Sequence, residues 1–376
     1  MAKKRRANGE GTIRERYDGR WEARYTHDSK IKSIYAKTQS EARKKLNQIL
    51  NDIENNLHTE DTKISVSAWI DNWLYSYKKI EIKQKTFENY ETLIKTHIRF
   101  AFTNITLKNL KTQHIQKFIN EKMASGKSTR TVKYLYVLIN GALEQALKNN
   151  LIVRNVAKAV TLPKQVTKER RVLSPTEQER MIKLLDKERM GTAILLALNT
   201  GLRRGELLAL RWSDYDKKAG CIIVKQNLSR LKGEDGKSHL TFTTPKTKSS
   251  IRTIPLLPKM IAKLNEHYKI QSEYRLKVGR SWIDNDLIFP TDTGEPCDPR
   301  NLQRVLKRLS VKLDIPNVNP HSLRHSFATR ALERGLSLKA IQKILGHNDI
   351  SVTGNIYTHA STQLLEKEMQ KLKTAF

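Results

Sequence analysis

Cysteine is almost missing from this chain of 376 residues: there are two, Cys221 and Cys297. Neither has a second cysteine at metal-ligand spacing, which excludes a zinc-ribbon or redox motif and leaves two reduced thiols, as in a cytosolic protein. No apolar run approaches the roughly 20 residues needed to span a bilayer, so no membrane partner is expected. No signal peptide is visible either, and a cytoplasmic location is expected. Nothing resembles a nucleotide-binding P-loop, and no internal repeat is evident. Negative charge is also scarce. The 38 Asp and Glu face 70 Lys and Arg, a net charge of +32 with a pI near 10.0. Such a charge repels itself unless an anion is bound, and nucleic acid is the usual one. The excess runs along the whole chain, which argues against mere tuning of solubility.

The length predicts two or three domains. Residues 1–60 form the first. It opens on Lys3-Lys4-Arg5-Arg6, a basic tail suited to phosphate. Ile13 to Tyr17 and Trp21 to Thr26 are strand-like, joined by a turn at Asp18-Gly19, and a third strand is expected from Ile31 to Ala36. Alternation puts Arg14 and Arg16 opposite Ile13 and Tyr17, and Arg24 opposite Trp21, Ala23 and Tyr25. A helix starts at the capping box Thr38 to Glu41, with Ala42, Leu46, Ile49, Leu50, Ile53 and Leu57 on its apolar face. A helix-backed sheet leaves a basic face free, and sheets can read DNA grooves. A solvated face would show the same alternation, but the clustered arginines favour DNA.

After a polar linker from Asn55 to Lys63, residues 61–163 read as all helix. Val66, Trp69, Ile70, Trp73, Leu74 and Tyr77 form one stripe. Phe87, Tyr90, Leu93 and Ile94 form another. Val132, Leu135, Leu138, Ile139, Leu143 and Ala146 form a third. Aromatics at helical spacing are core rather than a stacking platform. Lys127, Arg130 and Lys133 surround a helix start, where backbone and side chains both suit phosphate. A second linker covers Thr161 to Arg170. The last domain, 170–376, opens at Ser174-Pro175-Thr176-Glu177, a capping box with proline at the first helical position. A buried helix is expected over Met190 to Asn199. Strands follow at Cys221 to Val224, Leu240 to Thr244 and Ser250 to Ile254. Helices then carry Ile261 to Tyr268, Leu302 to Leu313 and the region of His321. The fold class is multidomain α+β: a small three-stranded sheet with a helix, an all-α domain, and a mostly α domain with a small antiparallel sheet.

The last domain holds the chemistry. Thr200-Gly201-Leu202-Arg203-Arg204-Gly205-Glu206 precedes His321-Ser322-Leu323-Arg324-His325, Leu345-Gly346-His347 and Tyr357. A phosphate under attack gains charge on its non-bridging oxygens, and arginine suits it because its fork stays charged and bonds two oxygens. Gly201 would end the buried helix and turn the chain into Arg203. Arg324 lies one helical turn from His321. His321 and His325 are four apart, a spacing that can bind zinc, but Ser322 stands where a metalloprotease needs Glu. No metal site is expected.

These motifs resemble the tyrosine recombinases, or phage integrases. The likeness of the catalytic motifs spans residues 200–359. The two earlier domains are similar, more weakly, to the arm-binding and core-binding domains of three-domain integrases, such as lambda integrase and those of conjugative transposons. The resemblance implies Tyr357 as nucleophile, Arg203 and Arg324 as phosphate clamp, and His321 and His347 for hydrogen bonding and proton transfer. It implies a hairpin lysine that protonates the leaving 5′ oxygen, Lys246 or its neighbour Lys248, and an acidic brace, Glu206. His325 is read as structural. Tyr357 lies ten residues after His347, where some relatives have nine. The implied activity is site-specific cutting and rejoining of DNA through a 3′-phosphotyrosine, integrating and excising a mobile element of phage or conjugative-transposon type. It needs no cofactor. The implied partners are double-stranded core and arm attachment sites, three further copies in a tetramer, and accessory DNA-bending or directionality proteins. A type IB topoisomerase shares the chemistry, and a non-catalytic DNA-binding regulator shares the charge. In the tail, Leu364, Leu365, Met369 and Leu372 recur at helical spacing, a stripe to be buried either on its own domain or, as an assembly element, on a neighbouring copy.

Overall fold

The structure, a computed structural model, describes residues 11–27, 30–54, 64–164, 171–244 and 251–346. The basic tail, the first linker, Leu57, Lys246, Lys248, His347, Tyr357 and the tail leucines lie outside them. The chain divides into two compact units, Met1–Thr167 and Lys168–Phe376.

The first unit begins with an antiparallel sheet of β1 (Thr12–Glu15), β2 (Trp21–His27) and β3 (Lys30–Ala36), in that order. Helix α1 (Gln39–Glu54) starts at Thr38, whose hydroxyl accepts the Glu41 N–H at 3.2 Å. Leu46 and Ala42 from α1 pack on Ala23, Tyr25 and Ala36 in a core of their own. β1 is shorter than expected. The chain turns over residues 16–20, where Gly19 holds φ at +77°, so Tyr17 leaves the strand and is 97% exposed. The sheet face carrying the arginines is also not purely basic. Register sets Arg14 directly opposite Glu22, and Glu22 is buried beneath Arg14 and Arg24.

The rest of this unit is helical. α2 (Val66–Asn72) runs through a π-helical stretch, Trp73–Lys78, into α3 (Lys79–Glu81). α4 (Gln84–Leu93) likewise continues as π-helical Ile94–Ile98 and 3-10 Arg99–Phe102. α5 (Thr112–Ala124), unforeseen as a separate helix, and α6 (Thr129–Lys148) complete the bundle. The aromatic stripe is core, as its spacing predicts. Trp69 donates its indole N–H to the Ala142 carbonyl at 2.8 Å. A side chain on Gly141 would meet the Trp73 ring at 3.1 Å, so that glycine lets the indole lie against α6.

The second unit opens with α7 (Pro175–Leu185), capped reciprocally by Ser174 and Glu177, and the buried α8 (Gly191–Thr200). A short turn, α9 (Arg204–Leu207), follows. β4 (Tyr215–Asp216), β5 (Cys221–Val224), β6 (Asn227–Lys232), β7 (Ser238–Thr243) and β8 (Arg252–Pro255) form two small antiparallel sheets, β4-β5-β8 and β6-β7. β6 was not expected. Its buried Leu228 and Leu231 are three apart, a helical rather than a strand spacing. α10 (Pro258–Val278) runs well past its predicted end, and its second half is largely exposed. α11 (Pro299–Lys312), α12 (Pro320–Glu333) and α13 (Leu338–Leu345) close the described chain. α8 packs against α12, and α12 against α13 through Ala328, Leu332, Ile341 and Leu345. Among the described residues no helix is long and apolar enough to cross a membrane.

Candidate active site

Three helix ends and one strand meet in the second unit. α8 is apolar almost throughout, so it is buried, and it stops at Gly201, whose φ of +64° is the left-handed conformation glycine adopts without strain. Glycine is needed there for space as well. A side chain would strike Leu345 at 2.5 Å and Phe327 at 2.6 Å. The close approach sets the turn after α8 directly against α12 and α13.

Arg203 follows that turn as the residue capping α9. Its backbone N–H donates to Glu206 Oε2 at 3.0 Å and its Nη1 to Glu206 Oε1 at 2.8 Å. Its Nη2 donates to the Gly346 carbonyl at 3.2 Å. Arg324, on α12 and 4% exposed, donates Nη1 to the Gly201 carbonyl and Nη2 to the Leu345 carbonyl, both at 2.7 Å. Arg252, at the start of β8, donates Nε to the Ile344 carbonyl at 2.6 Å and Nη2 to Glu206 Oε2 at 2.8 Å. Three consecutive carbonyls, of Ile344, Leu345 and Gly346, thus each accept from a different arginine. The physical reason is the helix end. The last carbonyls of a helix lack intrahelical partners and carry the negative end of its dipole, so cations gather there. Gly346 ends α13 in the left-handed conformation at φ +64°.

The cluster is electrostatically unbalanced in favour of an anion. Three arginines stand here against one carboxylate: Glu206, itself buried, pairs with Arg203 and Arg252. Burial pushes the Glu206 carboxyl up, but Arg252 and then Arg203 outweigh it and hold it below the ordinary range. Arg324 shows the opposite stress. Burial first, then the charge of Arg203, lowers its guanidinium to about 9. An anion set against Arg324 would reverse that stress, and a phosphoryl group gaining charge in a transition state would reverse it most.

His321 sits exposed at the start of α12, its backbone N–H accepted by the Asn319 side chain at 2.9 Å. Arg324 is one turn further on, and His325 is half-buried. The structure therefore brings Arg203, Glu206 and Arg324 together and puts His321 on the helix of Arg324. His347 follows Gly346 in sequence, and with Lys246 and Tyr357 it lies outside the described residues. Among the described residues, no group of three or more His, Cys, Asp or Glu is placed to hold a metal. Arg252 was missed as part of the site. The available signal was alternation: Arg252 and Ile254 share the inward face of β8, with Thr253 and Pro255 outside.

The β6–β7 hairpin borders the same place. A side chain on Gly205 would strike the Asn227 side chain at 2.2 Å and the Leu228 carbonyl at 2.6 Å, so α9 lies flush on β6.

The other candidate DNA contacts lie in the first unit. Glu22 accepts from Arg14 Nε at 2.6 Å and Arg24 Nε at 3.1 Å, while both arginines stay half exposed. Arg16 pairs with Asp18 at 3.6 Å and stacks over Tyr35. Lys127 and Arg130 are exposed and Lys133 half-buried around the start of α6. Nearby, burial first and then the charges of Lys122 and Lys127 lower His97, a local mark of positive potential.

The phage integrase family matches residues 171–363, and the N-terminal SAM-like domain of phage integrases matches residues 65–123. The tyrosine recombinase XerC-like protein of Caldanaerobacter subterraneus is 30% identical over 92% of each chain. The Tn1549 transposon integrase, solved with transposon right-end DNA, shares the fold with a TM-score of 0.70 at 23% identity, over 82% of this chain and 99% of that one. Lambda integrase, solved as a tetramer on a Holliday junction, does so with a TM-score of 0.57 at 22% identity, over 90% and 95%.

Proposed function

The chain belongs to the phage integrase family and is a tyrosine site-specific recombinase, and on that premise we propose how its own residues divide the work. Arg203 and Arg324 hold the scissile phosphate. The Tyr357 hydroxyl oxygen attacks phosphorus, the bond to the 5′ oxygen breaks, and a 3′-phosphotyrosine forms. Lys246, with Lys248 as its competitor, gives the leaving 5′ oxygen its proton. His321 and His347 supply hydrogen bonds to the phosphate and move the proton of the attacking hydroxyl. Glu206 braces Arg203. Because the phosphotyrosine keeps the bond energy, the reverse attack by a 5′ hydroxyl reseals the strand without a nucleotide cofactor. A phenol of pKa about 10 is a poor nucleophile at neutral pH, and surrounding cations favour its ionised form.

The observation that carries this reading is the arginine cluster, in which buried Arg324 stands beside Arg203 on adjacent carbonyls of one helix end. We assign residues 1–60 to arm-type sites, 61–163 to core-type sites and 170–376 to catalysis. Arg14, Arg16 and Arg24 would meet arm DNA, and Lys127, Arg130 and Lys133 core phosphates. Strand exchange joins two duplexes, so four copies would act together, as in the lambda integrase complex. DNA-bending and directionality proteins would join them on DNA in a bacterial cytoplasm.

The test is recombination between two attachment-site duplexes with the wild-type chain and with Tyr357→Phe. The wild type should yield exchanged products and the variant none, with DNA binding retained. Relaxation of supercoiled DNA without exchange would instead mean a topoisomerase. Exchange by the variant would remove Tyr357 as nucleophile.

A further inference from the structure

We propose that Arg252 is a positioning residue for strand cleavage, tying Glu206, and through it Arg203, to the end of α13 from which the chain passes to His347. The proposal rests on the assignment of Arg203 as a phosphate clamp.

The side chain of Arg252 is 6% exposed, as is that of Glu206. All three of its guanidinium nitrogens point inward. Nε takes the Ile344 carbonyl, while Nη1 at 3.3 Å and Nη2 at 2.8 Å take the two oxygens of Glu206. Arg252 thus commits all three nitrogens to protein, whereas Arg324 gives carbonyls only its two Nη atoms. Glu206 Oε1 is shared between Nη1 of Arg252 and Nη1 of Arg203. Without Arg252 the carboxylate would face Arg203 alone and neutralise the charge meant for phosphate. The Ile344 carbonyl would lose its donor at the same time.

The end of α13 is also shaped around this side chain. A side chain on Gly346 would meet Nη1 of Arg252 at 3.1 Å and its Cδ at 3.2 Å. The turn before His347 therefore lies flush on the guanidinium plane. Lysine cannot substitute. Its single ammonium can reach the carboxylate or the carbonyl, but has no planar fork to hold both at once.

The two ends of this bracket belong to different motifs. Glu206 comes three residues after Arg203, and Ile344 three residues before His347. Arg252 spans them from β8, the strand entered directly after the segment that carries Lys246. One buried side chain thus references the Arg203 motif and the end of α13 to each other. A small displacement at either would misalign the reacting groups while leaving the DNA-contacting surface unchanged.

The test uses the full chain on a nicked core-site duplex that traps the covalent adduct. Wild type, Arg252→Lys and Glu206→Gln are compared for folding, for DNA affinity and for single-turnover adduct formation. Both variants should bind the core site within about threefold of wild type and form adduct roughly 100-fold more slowly. Adduct formation at the wild-type rate by folded Arg252→Lys would overturn the proposal. So would a loss of affinity matching the loss of rate, which would make Arg252 a DNA contact. Failure of both variants to fold would also overturn it, since the role would then be stability alone. If the wild type forms no adduct, the clamp assignment itself fails, and that outcome is distinct from the others.

Discussion

Two buried glutamates, one in each unit, each take a pair of arginines, and they do opposite things with them. Glu22 lies under the N-terminal sheet face at 2% exposure, and its partners Arg14 and Arg24 remain 56% and 42% exposed. Glu206 is as deeply placed, but of its partners Arg203 is 38% exposed and Arg252 only 6%. In the sheet, the carboxylate is an anchor under a surface: it fixes two outward guanidinium groups and leaves much of each to meet a ligand. In the second unit it is a bracket, one arginine facing outward and the other inward. A buried charge is tolerated best when it is paired, so through the inward arginine Glu206 adds to the stability of the domain as well as to its site. The outward pair makes Glu22 chiefly a matter of surface order.

The largest separation between the two should come from Glu206→Ala. It leaves the buried Arg252 without its carboxylate and should lower unfolding stability by about 3–5 kcal/mol. Urea denaturation checks this; a loss no larger than that of an exposed pair would break the comparison. Next comes removal of residues 1–60, motivated by the separate core under the arginine-bearing sheet. Cleavage of an isolated core site should persist, while integration at sites bearing arm sequences falls at least about tenfold. A truncated chain that cannot cut a core site would show that the domains are wrongly divided.

A subtler effect concerns acid. Burial raises the Glu22 carboxyl, but the Ser33 hydroxyl, Arg14 and Arg24 outweigh it and hold it at about 2, against an ordinary 4.5. The folded state therefore binds this proton less readily than the unfolded one. Its contribution is fully present above pH 4.5 and is lost as the pH falls towards 2. Hydrogen exchange over residues 11–54 should show the sheet loosening in that window, and Glu22→Gln should flatten the pH dependence. An unchanged profile would detach Glu22 from the sheet's stability. The smallest effect is expected from Arg24→Ala on arm-site binding. If Arg24 meets phosphate, the slope of log affinity against log salt should fall by about 1. An unaltered slope and affinity would mean that Arg24 serves Glu22 alone.

Much of this was legible where local chemistry decides the outcome. Ser174 and Glu177 announce a helix start, Gly201 a helix end, and Trp69 with Trp73 a buried stripe. Arg203, Glu206 and Arg324 could be picked out by motif, and the fold sets them around one helix end. What escaped depends on partners distant in sequence. Glu22 was not singled out: alternation sets it on the face of Arg24, but only the pairing of β1 with β2 sets Arg14 opposite it. Arg252 read as a strand residue, because its value lies in a carboxylate 46 positions earlier and a carbonyl 92 positions later. The π-helical stretches at Trp73–Lys78 and Ile94–Ile98 keep the apolar stripe of an ordinary helix, so periodicity does not reveal them.

We propose that this chain cuts DNA by covalent attack from Tyr357, with arginines rather than a metal ion offsetting the charge on phosphate. It is tested most directly by incubating the wild-type chain with a nicked core-site duplex in EDTA and identifying the peptide that carries the DNA. A stable adduct on the peptide containing Tyr357, undiminished by EDTA and absent from Tyr357→Phe, is the predicted result. Cleavage that requires a divalent metal, or an adduct on any other residue, would contradict it.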